Sequence, residues 1–326
     1  MGLTVAVTGP TGEIGISAVT ALEREPTVEK IVAMARRPFD PSMYGRTKTT
    51  YQQGNIMDRG AVDALGAQAD VVIHLAFLLT GPRAESARIN LQGGRNVFEA
   101  TVAARRPGRL VYTSSVAAYG YFAENPLPLA EEVPARGSSE HYCSEQKAAL
   151  EAVLAEVTEG SSLEAFVLRP CIVAGPDAHA LADAMPWNQL PAPVRALAKA
   201  VPGLRRVVPD PGFPLQLVHH DDVAVAIALA ASAPAPPRAY NIAADGVVTV
   251  TDVAKALGGR PVSVPAPAAA AASATISRLP CVPPRLEWLH AARTPVVMDT
   301  TKAKRHLGWR PTHSSAETLA ALASAV

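Results

Sequence analysis

Short apolar runs alternate with longer amphipathic stretches through the first half of the chain. Leu3-Thr4-Val5-Ala6-Val7-Thr8 is the first such run, followed by Lys30 to Ala35, Asp70-Val71-Val72-Ile73-His74-Leu75-Ala76 and Arg109 to Ser115. Brief continuous runs rich in branched residues read as strands buried on both faces. Between them, Ile14 to Leu22, Ala61 to Leu65 and Ile89 to Ala104 place apolar residues at helical spacing. The alternation predicts an α/β fold with a doubly wound parallel sheet covered by helices on both sides. Tyr240-Asn241-Ile242-Ala243 is expected to rejoin that sheet as a further short strand.

The turn between the first strand and the first helix carries the chemistry. Gly9, Gly12 and Gly15 are spaced three apart, with Thr11, Glu13 and Ile14 between them. Missing β-carbons allow a sharp turn, close approach of a pyrophosphate to backbone amides, and tight packing of helix on strand. The N–H groups that open the helix add positive potential, so the loop is expected to hold the pyrophosphate of a dinucleotide. At the end of the second strand, where an acidic residue usually holds a ribose without a 2′-phosphate, this chain reads Met34-Ala35-Arg36-Arg37. Two arginines in reach of a phosphate favour NADP(H). Asn55 and Ile56, after a third short strand, are expected over the adenine.

Beyond Gly175 the pattern changes. Pro186, Pro191, Pro193, Pro202, Pro209, Pro211 and Pro214 interrupt the chain, as in a lobe built of loops and short helices. The expected division is a dinucleotide-binding domain over 1–174, joined again by about 214–245, and a substrate-binding lobe from 175–213 and 246–326. Val218 to Ala230 should form the returning helix, capped by Asp221 or Asp222. His219-His220-Asp221-Asp222 is read as a cap and not as a metal site, because adjacent side chains diverge. The Pro/Ala-rich stretch Pro261 to Ala274 leads to Ile276, Leu279, Leu286, Trp288 and Leu289, and a lobe helix is expected there. Trp187, Trp288 and Trp309 are candidates to line an aromatic site.

Composition narrows the partners. A chain of 326 residues with 48% hydrophobic content has ample core for a main domain and an attached lobe. The formal charge is +1, without a block of Lys or Arg, so neither nucleic acid nor an anionic membrane is expected as a partner. Cys143, Cys171 and Cys281 are odd in number and far apart, which suits a reducing compartment; with the first strand starting at once and no membrane-length apolar run, the cytoplasm is expected.

Thr8-Gly9-Pro10-Thr11-Gly12-Glu13-Ile14-Gly15, Val72-Ile73-His74-Leu75-Ala76, Asn90 within Ile89 to Val97, Val111 to Gly120, Leu168 to Pro176 and Val218 to Ala224 follow one another along the chain. In that order these segments resemble the extended short-chain dehydrogenase/reductases, the NAD-dependent epimerase/dehydratase group with a Rossmann domain. The resemblance implies a Ser, a Tyr and a Lys four residues after the Tyr. Ser115 matches the serine and Lys147 the lysine, which would hold the nicotinamide ribose. The tyrosine position holds Cys143, in His141-Tyr142-Cys143-Ser144-Glu145-Gln146-Lys147. Tyr142, about 100° around the helix, is expected to point elsewhere. The resemblance also implies that Leu75, Ala76 and Phe77 pass the cofactor ribose, that Thr113 and Ser114 lie beside the nicotinamide, and that Pro170, Cys171 and Val173 pass its amide. Tyr119 and Tyr121 are reserve proton donors. Relatives commonly pair through helices around Asn90 and Tyr142, which implies a homodimer.

Loss of the phenol bears on the reaction. Removing a proton from an unactivated hydroxyl demands a tuned base, whereas hydride attack on a carbonyl already polarised by a neighbouring phenol is more tolerant. Some members of the family reduce ketones in secondary metabolism without the usual tyrosine. The expected function is therefore NADPH-dependent reduction of a ketone on a bulky, aromatic polyketide-like substrate, as in antibiotic biosynthesis, with the proton drawn from substrate or water. A non-catalytic NADP-sensing regulator and a nucleotide-sugar epimerase or dehydratase remain open.

Overall fold

The computed structural model describes residues 2–79, 82–189, 207–265 and 294–326. Seven strands form one sheet: β1 (Leu3–Thr8), β2 (Val28–Ala35), β3 (Thr49–Gln53), β4 (Val71–His74), β5 (Arg109–Thr113), β6 (Glu164–Pro170) and β7 (Ala239–Ile242). Their order is β7-β6-β5-β4-β1-β2-β3, and every neighbouring pair is parallel. The expected doubly wound sheet is present. The chain runs outward in both directions from β1 and β4, and the crevice beyond their carboxyl ends is where such sheets hold ligands.

Side-chain alternation explains the two helical layers. On one face Val5 and Val7 of β1, Val71 and Ile73 of β4, Val111 of β5, and Phe166 and Leu168 of β6 share a core with α1 (Glu13–Arg24) and the later helix of residues His220–Ser232. On the other, Ala6, Val72, Leu110 and Tyr112 pack against α2 (Arg59–Gly66), α3 (Gly93–Ala104) and α4 (Tyr142–Thr158). One-residue steps along each strand thus switch layers, which is why the runs read as continuously apolar.

Some local expectations change. The helix expected over Ile89 to Ala104 begins earlier, at Arg83, and passes through a π-type turn over Arg88–Gln92 before α3. The returning helix, α5 (His220–Ser232), is capped by the imidazole of His219, which accepts from the Asp221 amide at 3.2 Å; neither Asp221 nor Asp222 is the cap. The rings of His219 and His220 also do not diverge, lying 4.3 Å apart, and with Asp221 they could hold a metal ion. In this structure they serve the fold: His220 Nδ1 meets Ser17 Oγ at 2.7 Å, fastening α5 to α1.

A smaller, separate apolar cluster gathers Ala174, Met185, Trp187, Val208, Leu217, Val253 and Leu322. Trp309 is fully buried in the main core, its indole N–H donating to the Asp222 carbonyl at 2.8 Å, so it does not line an aromatic site. Gly308 (φ 67°) stops the C-terminal helical turn. Residues 266–274 of the Pro/Ala-rich stretch, together with Ile276, Leu279, Cys281, Leu286, Trp288 and Leu289, lie outside the described residues. Among those described, no helix is long and apolar enough to cross a membrane.

Candidate active site

The loops after β1, β2, β3 and β4 open onto one cleft. Gly9, Thr11 and Gly12 form one side, Arg36 another, Asn55 and Ile56 a third, and Leu75, Ala76 and Phe77 the fourth. The sequence named all of these. Met34, Ala35, Gly54, Leu78, Ile89 and Asn90 complete the wall.

The three glycines differ in what they permit. Gly9 has φ 76°, and a Cβ there would stand 2.7 Å from the Ala76 amide; a Cβ on Gly15 would overlap the Gly9 carbonyl. Both are demanded by the protein itself. At Gly12 a Cβ would be 3.6 Å from the Gly9 carbonyl, an ordinary contact, so that glycine is not needed for folding. Gly12 begins α1 without any side-chain cap, leaving the first amides of the helix for an anion. Bare opening amides, a glycine that only a ligand would require, and no acidic side chain on the wall suit a dinucleotide phosphate group.

Not every expected residue reaches this wall. The Glu13 carboxylate accepts from the His179 amide at 3.2 Å, and burial raises its pKa. Ile14 packs against the core, and Arg37 is exposed off the wall. Asn90 has a part that the sequence did not reveal. Its side chain accepts from the Leu78 amide at 2.7 Å and donates to the Leu78 carbonyl at 3.0 Å and to Gln146 Oε1 at 2.8 Å. It clamps the loop after β4 to α4.

A second group surrounds the end of β5. Lys147 is buried, donates to the Thr113 carbonyl at 2.8 Å, and lies 3.9 Å from the Phe77 ring centroid and 5.1 Å from that of Tyr112. Burial lowers its pKa to about 7. His74, buried below it and paired with Thr8 Oγ1 at 2.7 Å, is lowered to about 3 by the same desolvation and by the Lys147 charge, and stays neutral. Ser115 is half-buried; its Oγ accepts from the Ala117 amide at 3.2 Å and caps the 3₁₀ turn Val116–Tyr119, leaving its O–H to donate. Cys143, one turn before Lys147 on α4, is half-buried.

Other neighbours are engaged in the fold. Ser114 is buried and donates to Glu151 at 2.5 Å, and Glu151 takes two bonds from Arg169, at 3.0 and 2.5 Å. Thr113 Oγ1 is buried without a partner among the described residues. Cys171 is buried in the main core, where desolvation pushes its thiol far up; Pro170 is buried at the end of β6, and Val173 packs on that core. The Tyr142 hydroxyl donates to the Leu79 carbonyl. Tyr119 is buried and its phenol is raised by burial to about 12; its hydroxyl proton is committed to Asn241 at 2.7 Å.

Comparison with known proteins places this geometry. The family model described as "NAD dependent epimerase/dehydratase family" matches residues 5–243. No curated protein matches significantly. The structure is similar to UDP-glucose 4-epimerase from Thermotoga maritima with UDP-glucose, with 21% identity, 99% of this chain and 98% of that one covered, and TM-score 0.70. It is also similar to the Bordetella bronchiseptica enzyme WbmG in complex with NAD (19%, 99% and 94%, 0.69). A third is dTDP-glucose 4,6-dehydratase from Bacillus anthracis in complex with NAD (15%, 99% and 96%, 0.71). At such identities the structural likenesses establish the fold. The family match spans most of the sequence, and the chain belongs to the NAD-dependent epimerase/dehydratase family.

Proposed function

We propose that this chain is an NADP(H)-dependent reductase of a ketone on a bulky, aromatic polyketide-like substrate. The observation that carries the reading is the pairing of Lys147 and Ser115 with Cys143, a side chain one aromatic ring shorter than a tyrosine, at the family's phenol position. Arg36 on a cleft wall without a carboxylate supports NADP(H).

The first amides of α1 and the Gly9–Gly12 loop would hold the pyrophosphate, Arg36 the 2′-phosphate, and Lys147 the nicotinamide ribose. The cofactor, when bound, supplies a hydride. Ser115 donates a hydrogen bond to the carbonyl oxygen, stabilising negative charge as it develops. Cys143 does not reach that oxygen directly, so the proton comes from elsewhere. A ketone beside a phenol on the substrate brings its own hydrogen bond to the reacting oxygen.

NADPH consumption against a panel of aromatic ketones and nucleotide sugars tests this. Stoichiometric oxidation with ketones is expected. Cofactor binding without turnover would instead identify a regulator. The second reading, a nucleotide-sugar epimerase or dehydratase, is favoured by the nucleotide sugar named for the similar epimerase; sugar conversion without net reductant would establish it.

A further inference from the structure

We propose that Tyr121 is a catalytic residue: its phenol, carried on the loop after the Val116–Tyr119 turn, takes over proton donation from position 143. The inference rests on the reductase reading above and goes beyond it by naming the donor.

The loop that bears Tyr121 is pinned to the start of α4 at several points. Gly120 has φ 80°, a conformation that suits glycine, and directs the chain away from the 3₁₀ turn. The Tyr121 amide donates to Ser138 Oγ at 2.8 Å, the Ser138 amide donates to Ser144 Oγ at 2.9 Å, and the Ser144 hydroxyl donates to the Ala117 carbonyl at 2.5 Å. Ser144 lies next to Cys143 on α4, so this chain of bonds fixes Tyr121 relative to the very turn that lacks its phenol. The Tyr121 ring completes the arrangement by packing 5.3 Å from the ring of His141, the residue that caps α4.

The hydroxyl itself is uncommitted. Tyr142 is bonded to Leu79, Tyr119 to Asn241 and Tyr240 to the Pro236 carbonyl. Tyr121 is half-buried, and its hydroxyl has no hydrogen-bond partner among the described residues, yet is not sealed from solvent. A phenol held at the backbone, tilted against the His141 ring and unbonded at the oxygen is arranged to meet a ligand. Burial raises its pKa, and a thiolate at Cys143 would raise it further; the same thiolate charge raises the Lys147 pKa. Lys147 lies one turn beyond Cys143 on α4, and the neutral O–H form of Tyr121 is the stable one at neutral pH, as a proton donor requires.

The step balances simply. A hydride from reduced nicotinamide adds to the carbonyl carbon and forms its C–H bond, the C=O π pair moves to oxygen, and that oxygen takes the proton as the Tyr121 O–H bond breaks. The carbonyl carbon is reduced, the nicotinamide is oxidised, and the phenolate recovers its proton from solvent.

The full-length protein and its Tyr121→Phe variant decide the matter, since phenylalanine keeps the ring against His141. NADP⁺ binding is measured by calorimetry, and Tyr121→Phe should bind NADP⁺ within twofold of the wild type. With α-tetralone as carbonyl probe, Tyr121→Phe should lower kcat by roughly a hundredfold or more, the span of general acid catalysis, with KM for NADPH unchanged. An undiminished kcat in Tyr121→Phe would overturn the assignment of Tyr121; absence of NADP⁺ binding to the wild type would overturn the reductase reading beneath it.

Discussion

The Lys147 ammonium lies against the face of the Phe77 ring, 3.9 Å from its centroid, with the Thr113 carbonyl as its hydrogen-bond acceptor. One segment of the cleft thus covers Lys147, and burial there brings its pKa down to about 7. In the proposed function the charged form donates to ribose hydroxyls, so cofactor binding should take up a proton near and above neutrality. NADP⁺ affinity should fall as pH rises through 7 to 9, and Lys147→Arg should flatten that dependence. Calorimetry in buffers of different ionisation heat checks both.

The same depression has a stability consequence with a definite sign. In the unfolded chain Lys147 titrates near its ordinary value of about 10.4. Its buried charge therefore costs stability fully below about pH 7, and the cost fades as pH rises toward the unfolded value. Lys147→Met, with no cofactor present, should melt higher than the wild type at pH 6 and converge with it near pH 10. A lower Tm at pH 6 would contradict the assigned burial cost.

Gly12 and Gly15 should separate ligand binding from folding. Gly15→Ala must push against the Gly9 carbonyl and is expected to unfold or strongly destabilise the first βα unit. Gly12→Ala meets only an ordinary contact within the protein, so it should melt near the wild type yet lose NADP(H) affinity by tenfold or more. Paired thermal melts and binding titrations read the contrast.

How much of this was legible depended on the distance over which each feature is encoded. The sheet and its helices follow from local alternation, and the cleft residues from Gly9 to Phe77 follow from strand ends that a parallel sheet must bring together. The Ser114–Glu151–Arg169 cluster was not legible. Its members come from β5, α4 and β6, and nothing local to Ser114 marks its hydroxyl as turned to a buried carboxylate. The Asn90–Gln146 clamp is likewise a meeting of two helical segments. At α5 the cap was misassigned because aspartate is the commoner cap, whereas His219 places its ring nitrogen on the Asp221 amide.

That cluster should dominate local stability. Arg169 and Glu151 are 7% and 10% exposed, and removing one partner leaves the other charge stranded. Glu151→Ala is expected to cost about 3–5 kcal/mol, measured by denaturant unfolding. Replacing both partners with apolar residues of similar volume should recover much of that loss.

Arg36 should set the choice of cofactor. Arg36→Ala is expected to weaken NADPH binding by roughly ten- to a hundredfold, the worth of a bond to a charged group, while leaving NADH nearly unaffected. Arg36→Asp should reverse the preference. Equal losses for both cofactors would show that Arg36 does not meet the 2′-phosphate.

Tracing the hydride reports most directly on the proposed function. NADPH carrying deuterium at the transferable C4 position is incubated with the full-length protein and the aromatic-ketone panel, and products are read by mass spectrometry. One deuterium should appear on the new carbinol carbon for each NADPH oxidised. Interconversion of nucleotide sugars with no label incorporated and no net NADPH consumed would contradict the account.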